Sequence, residues 1–300
     1  MRLGLGVISM ELNGNNLKIS IQKKGRLSVM SLDLLRTTGV EFDSAEGLLF
    51  ARGRNYPLDI LFLRDDDIPE YVQDGVTDLG IVGLNVVREK GAGVAVLDSL
   101  GFGGCELCIA VPKAGNFRSV RDLAGKRIAT SYPNLLESFL REQAIEARII
   151  EINGSVEITP SLDVADAICD LVSTGSTLRI HDLMPIEVIL QSEAVLIANR
   201  DSLEQPRKKD VIDRLRMRMA SHLRARKTKY VMMNAPRESL DQIRDILPGM
   251  KSPTIVPLAD PEMMAVHTAV PEEYFWDVIE KLKLAGATDM LVVPVEKMVV

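Results

Sequence analysis

The chain has 300 residues, of which 46% are apolar and 26% are charged, and its formal net charge at pH 7 is −6. This length predicts about two domains with a sizeable core, in an ordinary globular protein. The acidic balance argues against a general nucleic-acid binder but permits a local basic pocket for phosphates. No apolar run in the sequence is long enough to span a bilayer, so we expect no membrane partner.

The amino-terminal residues and the cysteines give weaker signals. Residues 1–16 lack the apolar region and cleavage site of a signal peptide, and we interpret them as an extension. The 3 cysteines in 300 residues fit a reducing, cytoplasmic setting. Cys105 and Cys108 form a lone CxxC on a predicted strand, where residues three apart point to opposite faces, so packing is favoured over a redox or metal role.

Strand-like runs alternate with helix-like segments from residue 17 onward. This alternation is typical of α/β folds, so we predict parallel sheets with helices on both faces and binding sites in the loops that follow the strands. The predicted strands are 17–21, 58–63, 78–83, 94–100, 106–112, 127–131, 147–152, 164–172 and 193–199. The predicted helices are 28–39, capped by Ser28, and 66–75, 119–125, 133–144 and 177–184.

Several loops after these strands carry cations or small hydroxyl residues. QKKGRLS places Lys24 and Arg26 after the first strand, and RDDDIP places Arg64 before three aspartates. Tyr132 and Glu157 stand in later loops of the same kind. Each has a simpler explanation as a helix cap, a first-turn acid or a solvated charge. Because the topology brings these loops to one edge, a cleft for a multiply charged anion explains their coincidence better.

The stretch DLVSTGSTL, residues 170–178, crowds two Ser, two Thr and one Gly into five positions after a predicted strand. One interpretation is a helix start at which a hydroxyl caps the first turn. The other is an anion site, where backbone amides and the helix dipole meet a phosphate. The stretch alone leaves both interpretations open.

The last third of the chain has a different rhythm. Residues 204–229 predict a long helix rich in Arg and Lys, which we interpret as an exposed connector with a solvated basic face. The order that follows is β-α-β-β-α-β, typical of a ferredoxin-like module. This module carries no obvious nucleophile, so a regulatory or assembly role is favoured. Its predicted strands are 230–235, 253–259, 263–270 and 289–295, and its predicted helices are 237–250 and 271–286.

ICDLVSTGSTL resembles the signature of enzymes that bind phosphoribosyl pyrophosphate (PRPP), with Asp170 at the second acid position and Cys169 replacing the usual first acid. From about residue 17 to the end, the chain resembles the long form of ATP phosphoribosyltransferase. The first sixteen residues fall outside this resemblance. Its other marks are QKKGRL, RDDDIP, DGVTDLGIVG, GFGGC, KRIATSYPNLL, NGSVE, SPTIVPLAD and PVEKM.

The resemblance implies an α/β fold with a two-lobed catalytic unit, similar to periplasmic-binding proteins, and a C-terminal ferredoxin-like βαββαβ regulatory domain. It implies Mg²⁺-dependent transfer of the 5-phosphoribosyl group from PRPP to N1 of the adenine of ATP. That reaction releases pyrophosphate and is the committed step of histidine biosynthesis. The expected segments are an extension (1–16), lobe I (17–104, completed by about 193–224), lobe II (105–192) and the regulatory domain (225–300).

Histidine is the expected feedback inhibitor, and dimers and hexamers are the expected assemblies. Ser252 and Thr254, in SPTIVPLAD, are the expected hydroxyl donors to histidine, although a plain turn at Ser252–Pro253 explains them equally well. Two alternatives to the enzyme are a two-lobed small-molecule binding or regulatory module without catalysis and an inactive regulatory paralogue. A binding module would not need both the KGR loop at 24–26 and the TGST loop at 174–177. An inactive paralogue is expected to lack the hydroxyl residues of the second loop, which this chain keeps.

The resemblance also implies residue roles. Asp170 is expected to bond the ribose hydroxyls, and Lys24, Arg26 and Arg64 to neutralise the pyrophosphate or the ATP phosphates. Mg²⁺ is expected to need no dedicated carboxylate cage, and adenine N1 needs no general base. The 5′-phosphate is assigned to Ser173, Thr174, Gly175, Ser176 and Thr177.

Three further residues keep two interpretations each. Asp166 has the strand parity of Asp170 and either shares its site or contacts no ligand. Glu157 either contacts a substrate or is a first-turn acid. Tyr132 either stacks on the adenine or packs in the core.

Overall fold

The computed structural model describes residues 16–43, 47–247 and 253–299. The chain divides into two compact units, one ending at Ile212 and the other beginning at Asp213. Of the predicted extension, residues 1–15 lie outside the described ranges. The predicted domain boundary near residue 225 stays a prediction.

The first unit contains two sheets and most of the helices. Its strands are β1 (Leu17–Gln22), β2 (Phe50–Arg52), β3 (Leu58–Leu63), β4 (Leu79–Gly83), β5 (Ala95–Ser99), β6 (Cys105–Pro112), β7 (Arg127–Thr130), β8 (Arg148–Glu151), β9 (Ala167–Val172), β10 (Leu183–Ser192) and β11 (Ala194–Ala198). The helices are α1 (Arg26–Thr37), α2 (Ile68–Gln73), α3 (Leu84–Lys90), α4 (Pro133–Glu142), α5 (Ser176–Ile180), α6 (Arg200–Glu204) and α7 (Pro206–Arg226). Helix α7 continues into the second unit.

The first sheet has the strand order β2-β3-β1-β4-β11-β5. Strand β1 pairs in parallel with β3 and β4, so the loops that follow these three strands lie at one edge. Strand β11 pairs antiparallel with both β4 and β5. The prediction of parallel sheets is therefore wrong for this strand, because the chain returns through β11 from the second sheet.

The second sheet has the order β10-β6-β9-β7-β8. Strand β7 is parallel to β8 and β9, so their following loops also share one edge. Strands β6 and β10 run antiparallel to their neighbours. The chain enters this sheet after β5 and leaves it after β10. We call the first sheet with α1–α3 lobe I, and the second sheet with α4 and α5 lobe II; these two lobes confirm the predicted fold class of the catalytic unit.

Lobe II buries both faces of its sheet. On one face, Leu136 and Leu140 of α4 pack against the sheet; their i, i+4 spacing places them on the same side of the helix. On the other face, Leu178 of α5 and Val156 pack against Ala129. Helices on both faces leave the strand ends and their loops as the accessible part of the sheet.

Several elements differ from the sequence prediction. Strand β10 begins within the predicted helix 177–184, because α5 ends at Ile180. Two register irregularities in β10 disturb the period-2 pattern by which a strand is recognised. Helix α1 begins at Arg26 rather than after Ser28, since Gly25 at φ 96° turns the chain directly from strand to helix. Strand β2 and helices α3 and α6 were not predicted. The predicted helix 119–125 forms only a short 3-10 turn, Val120–Leu123.

The second unit confirms the predicted ferredoxin-like order. Its elements are β12 (Thr228–Pro236), α8 (Leu240–Ile246), β13 (Thr254–Pro257), β14 (Met263–Pro271), α9 (Phe275–Leu284) and β15 (Thr288–Pro294). The antiparallel sheet has the order β13-β14-β12-β15. Ile243 of α8 and Leu282 of α9 share one core with Val231 of β12. Within the described residues, no helix has the length and apolar character needed to traverse a bilayer.

A buried carboxylate fastens α6 and α7 to lobe I. Asp78 precedes β4, and its side chain is only 7% exposed. The carboxylate accepts hydrogen bonds from the N–H of Lys18 at 2.8 Å, the hydroxyl of Ser202 at 2.7 Å and the ammonium of Lys208 at 2.8 Å. Three donors satisfy the charge, which would otherwise be costly to bury.

We expect Asp78→Asn to lower the free energy of unfolding by about 2 to 3 kcal/mol, because an amide nitrogen would face the same donors. The measurement is equilibrium denaturation in urea. Asp74→Asn is the matched control, since Asp74 is exposed at the end of α2 and should leave stability nearly unchanged. Equal effects of the two substitutions would contradict this account of Asp78.

Candidate active site

The loop after β9 does not form the capped helix start that the sequence left open. Gly175, at φ 68°, is the N-cap residue of α5, and no side chain caps this helix. The hydroxyls of Thr174 and Ser176 instead lie 3.0 Å from each other. The hydroxyl side chains therefore stand beside the first turn of α5 without capping its amides, an arrangement that suits an anion.

This loop lines a cavity of about 220 Å³. Asp170, at the end of β9, and Glu157, from the segment before β9, line the same cavity. The structure thus brings together the predicted phosphate loop and both carboxylates. The complete lining is Glu157, Asp170, Leu171, Val172, Ser173, Thr174, Gly175, Ser176, Thr177 and Leu178.

The ionised form of Asp170 is destabilised in this cavity. Burial raises the pKa of its carboxyl group above the ordinary value, and the nearby charge of Glu157 raises the pKa further. The N–H of Leu171, which donates to Oδ1 at 2.8 Å, opposes these two effects. A partly desolvated carboxylate that the fold does not neutralise is typical of a functional site.

A larger cavity of about 600 Å³ lies between the lobes. Asp65, Asp66 and Glu89 line it from lobe I, and Tyr132 and Asn153 line it from lobe II. Burial raises the pKa of the Tyr132 hydroxyl, and the charges of Asp170, Asp65 and Asp66 raise it further, while a hydrogen bond from Asn85 opposes them. Tyr132 lines this larger cavity, and Asp170, which lines the smaller one, is near enough for its charge to act on the Tyr132 hydroxyl.

The predicted cations lie at the edge of lobe I. Lys24 and Arg26 follow β1, and Arg64 follows β3; all three are exposed. Parallel pairing of β1 and β3 places them at one edge, beside Asp65 and Asp66. They are not among the residues that line the two cavities. Their contact with substrate stays a prediction.

Asp166 is not brought to the cavity. It precedes β9, whereas the loop follows that strand, and the three strand residues between it and Asp170 place the two aspartates about 13 Å apart along the strand. Its carboxylate accepts hydrogen bonds from the backbone and the guanidinium of Arg127, at 2.8 and 3.1 Å. The structure therefore favours the interpretation in which Asp166 contacts no ligand. Strand parity gave the correct face but could not show the opposite ends.

The predicted regulatory residues lie in the second unit. Ser252 lies outside the described residues. Thr254 is exposed on β13 and pairs across the sheet with His267. Their role stays a prediction.

The cysteines pack in lobe II. Cys105, Cys108 and Cys169 are free thiols, and burial raises the pKa of Cys108 to about 11. Thiols with a raised pKa are poor nucleophiles and poor metal ligands. Within the described ranges, no cluster of three or more His, Cys, Asp or Glu side chains could hold a metal ion.

Sequence reasoning missed three residues at this site. Asn85 and Glu89 of α3 contact lobe II, and Ser192, at the end of β10 in lobe II, is a partner of Asn85. The sequence could have indicated Asn85 and Glu89 in part. Strand β4 was predicted, and the residues that follow it lie at the same edge of the sheet as those that follow β1. The segment LNVVREK was too short for a clear helical period.

The profile of the family described as ATP phosphoribosyltransferase (HisG) matches residues 64–221. The chain belongs to the ATP phosphoribosyltransferase family. A second profile, described as HisG, C-terminal domain, matches residues 225–297 and indicates the long form of this family. The predicted membership is therefore confirmed.

Relatives match along nearly the whole chain. The ATP phosphoribosyltransferase of Cytophaga hutchinsonii is 48% identical over 94% of this chain and 98% of its own length. That of Parabacteroides distasonis is 45% identical over 95% of this chain and 100% of its own length. A solved chain of the ATP phosphoribosyl transferase (HisG:HisZ) complex from Thermotoga maritima is 29% identical, with a TM-score of 0.59, over 68% of this chain and 98% of that chain.

Family membership decides between the predicted functions. The chain is a phosphoribosyltransferase of the first step of histidine biosynthesis, and the catalytic interpretation is favoured over a binding module. The loop residues that suggested a PRPP enzyme lie within the matched range.

Two aspartates on one strand give opposite predictions for stability. Asp170 has a raised pKa in the fold, so its ionised form destabilises the fold at neutral pH, and we expect Asp170→Asn to raise the melting temperature. The hydrogen bonds from Arg127 lower the pKa of Asp166, so its ionised form stabilises the fold. We therefore expect Asp166→Asn to lower the melting temperature.

Thermal melts from pH 8 to pH 3 measure both effects. The gain from Asp170→Asn should shrink as the pH falls through the raised pKa towards the ordinary value of about 4. The loss from Asp166→Asn should persist above pH 4 and disappear as the pH falls through the lowered pKa. Shifts of the same sign would show that the two carboxylates do not differ as described.

Proposed function

We propose that residues 173–177 bind the 5′-phosphate of PRPP through backbone amides and hydroxyls. The observation that carries this proposal is the cavity lined by that loop, Asp170 and Glu157, beside a first helical turn that no side chain caps. Asp170, at the end of β9, then accepts hydrogen bonds from the ribose hydroxyls. Glu157 stands on the same wall and contacts the sugar or its phosphate-bound cation.

The reaction joins N1 of the adenine of ATP to C1′ of PRPP and expels pyrophosphate. Positive charge develops on the ribose ring and negative charge on the leaving group, so positioning and electrostatics supply most of the catalysis. Lys24, Arg26 and Arg64, at the edge of lobe I, neutralise the phosphates. Tyr132, which lines the larger cavity, packs against the adenine. The adenine nitrogen is itself the nucleophile, so no general base is proposed.

Mg²⁺ fits these residues only as a cation carried by the substrate. Asp170 and Glu157 are two carboxylates on one cavity, and the charge of Glu157 raises the pKa of Asp170, so a nearby cation would relieve their repulsion. Mg²⁺ commonly binds through one or two carboxylates together with substrate phosphates. When bound, it would neutralise charge on the pyrophosphate.

We also propose the regulation and setting that the family resemblance implies. The second unit binds histidine as a feedback inhibitor, the chain assembles as dimers and hexamers, and the enzyme acts in the cytoplasm. The second unit has a ferredoxin-like order and a core of its own, which supports a separate regulatory role. The Thermotoga maritima chain also occurs in a complex, described as HisG:HisZ.

The phosphate loop is tested by Thr174→Val combined with Thr177→Val. Losing two hydrogen bonds to a charged phosphate should weaken PRPP binding by about 100-fold, with the fold unchanged. The measurements are PRPP affinity by calorimetry and pyrophosphate release from ATP, PRPP and Mg²⁺ with a pyrophosphatase present. Thr37→Val is the control, because its hydroxyl bonds Leu34 at the end of α1.

Two outcomes would count against different parts of the proposal. Wild-type PRPP affinity in the double variant would remove the phosphate role of the loop. Absence of pyrophosphate release from the wild-type protein would instead count against the activity itself.

The regulatory assignment is tested by Thr254→Val. If the hydroxyl of Thr254 donates to histidine, the concentration of histidine that halves activity should rise about tenfold, while kcat stays unchanged. Thr288→Val, on β15, is the control on another exposed strand position. Unchanged inhibition in Thr254→Val would place the histidine site elsewhere.

A further inference from the structure

Two side chains of helix α3, in lobe I, form hydrogen bonds with the start of α4 in lobe II. Asn85 and Glu89 are four residues apart and therefore lie on one face of α3. Asn85 contacts Tyr132, and Glu89 contacts Asn134 and Leu135. Tyr132 is the N-cap residue of α4 and lines the larger cavity, so this contact reaches the wall of that cavity.

Asn85 is buried, and its amide oxygen is already engaged. Its backbone N–H donates to Oγ of Ser192 at 3.0 Å, and the Ser192 hydroxyl donates to Oδ1 of Asn85 at 2.9 Å. This reciprocal pair directs the amide nitrogen towards Tyr132. Nδ2 of Asn85 donates to the hydroxyl oxygen of Tyr132 at 3.2 Å.

Glu89 fixes the backbone that carries Tyr132. Its two carboxylate oxygens accept from the N–H groups of Asn134 and Leu135, each at 2.9 Å. A carboxylate on first-turn amides is stabilised by both charge and helix dipole. The backbone N–H of Tyr132 also donates to Oγ1 of Thr130 at 2.9 Å. The Tyr132 hydroxyl is therefore held at a set position between the lobes.

A tyrosine hydroxyl has a single proton to donate. Because the Tyr132 oxygen accepts from Asn85, that proton is available for another acceptor. Tyr132 lines the larger cavity together with Asp65 and Asp66. Burial, and after it the charges of Asp170, Asp65 and Asp66, raise the pKa of the hydroxyl and keep it protonated, so it remains a donor.

We propose that Asn85 is a positioning residue, which keeps the Tyr132 hydroxyl as a hydrogen-bond donor to an acceptor atom of substrate bound in the larger cavity. The inference rests on the proposed function, because it requires that substrate occupies the cleft next to Tyr132. Asn85 itself touches no substrate and acts only through Tyr132. The role of the Tyr132 hydroxyl is distinct from packing of its ring against the adenine.

The test is a double-mutant cycle of Asn85→Asp and Tyr132→Phe, with kcat/KM measured by pyrophosphate release. A carboxylate at position 85 still accepts from Ser192 but turns from donor to acceptor towards Tyr132, and so captures its proton. Asn85→Asp and Tyr132→Phe should each lower kcat/KM about tenfold, the size of one hydrogen bond. The double variant should lose no more than Tyr132→Phe alone, whereas independent effects would multiply.

Two further variants keep this test decisive. Asn85→Leu removes the donor without adding a buried charge, and its smaller loss should likewise vanish in the Tyr132→Phe background. Asn199→Asp is the control for a new buried carboxylate, because Asn199 is buried in lobe I and its Nδ2 donates to Val72 and Gln73. It should lower the melting temperature without entering the cycle.

The outcomes separate the inference from the proposed function. Wild-type kcat/KM in Asn85→Asp, or multiplicative losses in the double variant, would overturn the positioning role while the enzyme activity stands. Wild-type kcat/KM in Tyr132→Phe would also overturn the positioning role, because the Tyr132 hydroxyl would then contribute nothing to the reaction. Absence of pyrophosphate release from the wild-type protein would instead remove the proposed function.

Discussion

Parallel pairing at the centre of each sheet determines where this molecule can bind a substrate. The strands β1, β3 and β4 of lobe I end at one edge, and so do β7, β8 and β9 of lobe II. Helices pack on the faces of the sheets, so the loops at these edges are the accessible places for chemistry. The antiparallel strands β6 and β11 carry the chain between the lobes without interrupting either set of loops.

Strand β9 shows how one element serves stability at one end and function at the other. Asp166, before the strand, is satisfied by Arg127 and supports the fold. Asp170, at its far end, is partly desolvated beside Glu157 and destabilises the fold when ionised. A ligand that supplies hydroxyl groups or a cation would stabilise this ionised carboxylate. Active sites commonly keep such groups although they lower the stability of the fold.

The contact between the lobes adds a second constraint. Asn85 joins Ser192, where β10 ends, to Tyr132, where α4 begins, and Glu89 holds the first turn of α4. Of these residues, Glu89 and Tyr132 line the larger cavity. The position of lobe II on lobe I and the orientation of a polar group in the cleft therefore depend on one short helix.

The sequence by itself determined the chemistry of the loops and the order of most elements. Local patterns were enough for both, because the alternation of a strand and a run such as Ser173 to Thr177 involve only residues that are neighbours in the sequence. It could not separate Asp166 from Asp170, since parity gives the face of a strand and not the end at which a ligand binds. Nor could it find Asn85, whose partners Tyr132 and Ser192 are 47 and 107 residues away. Only tertiary structure decides such contacts, because they depend on how the lobes pack.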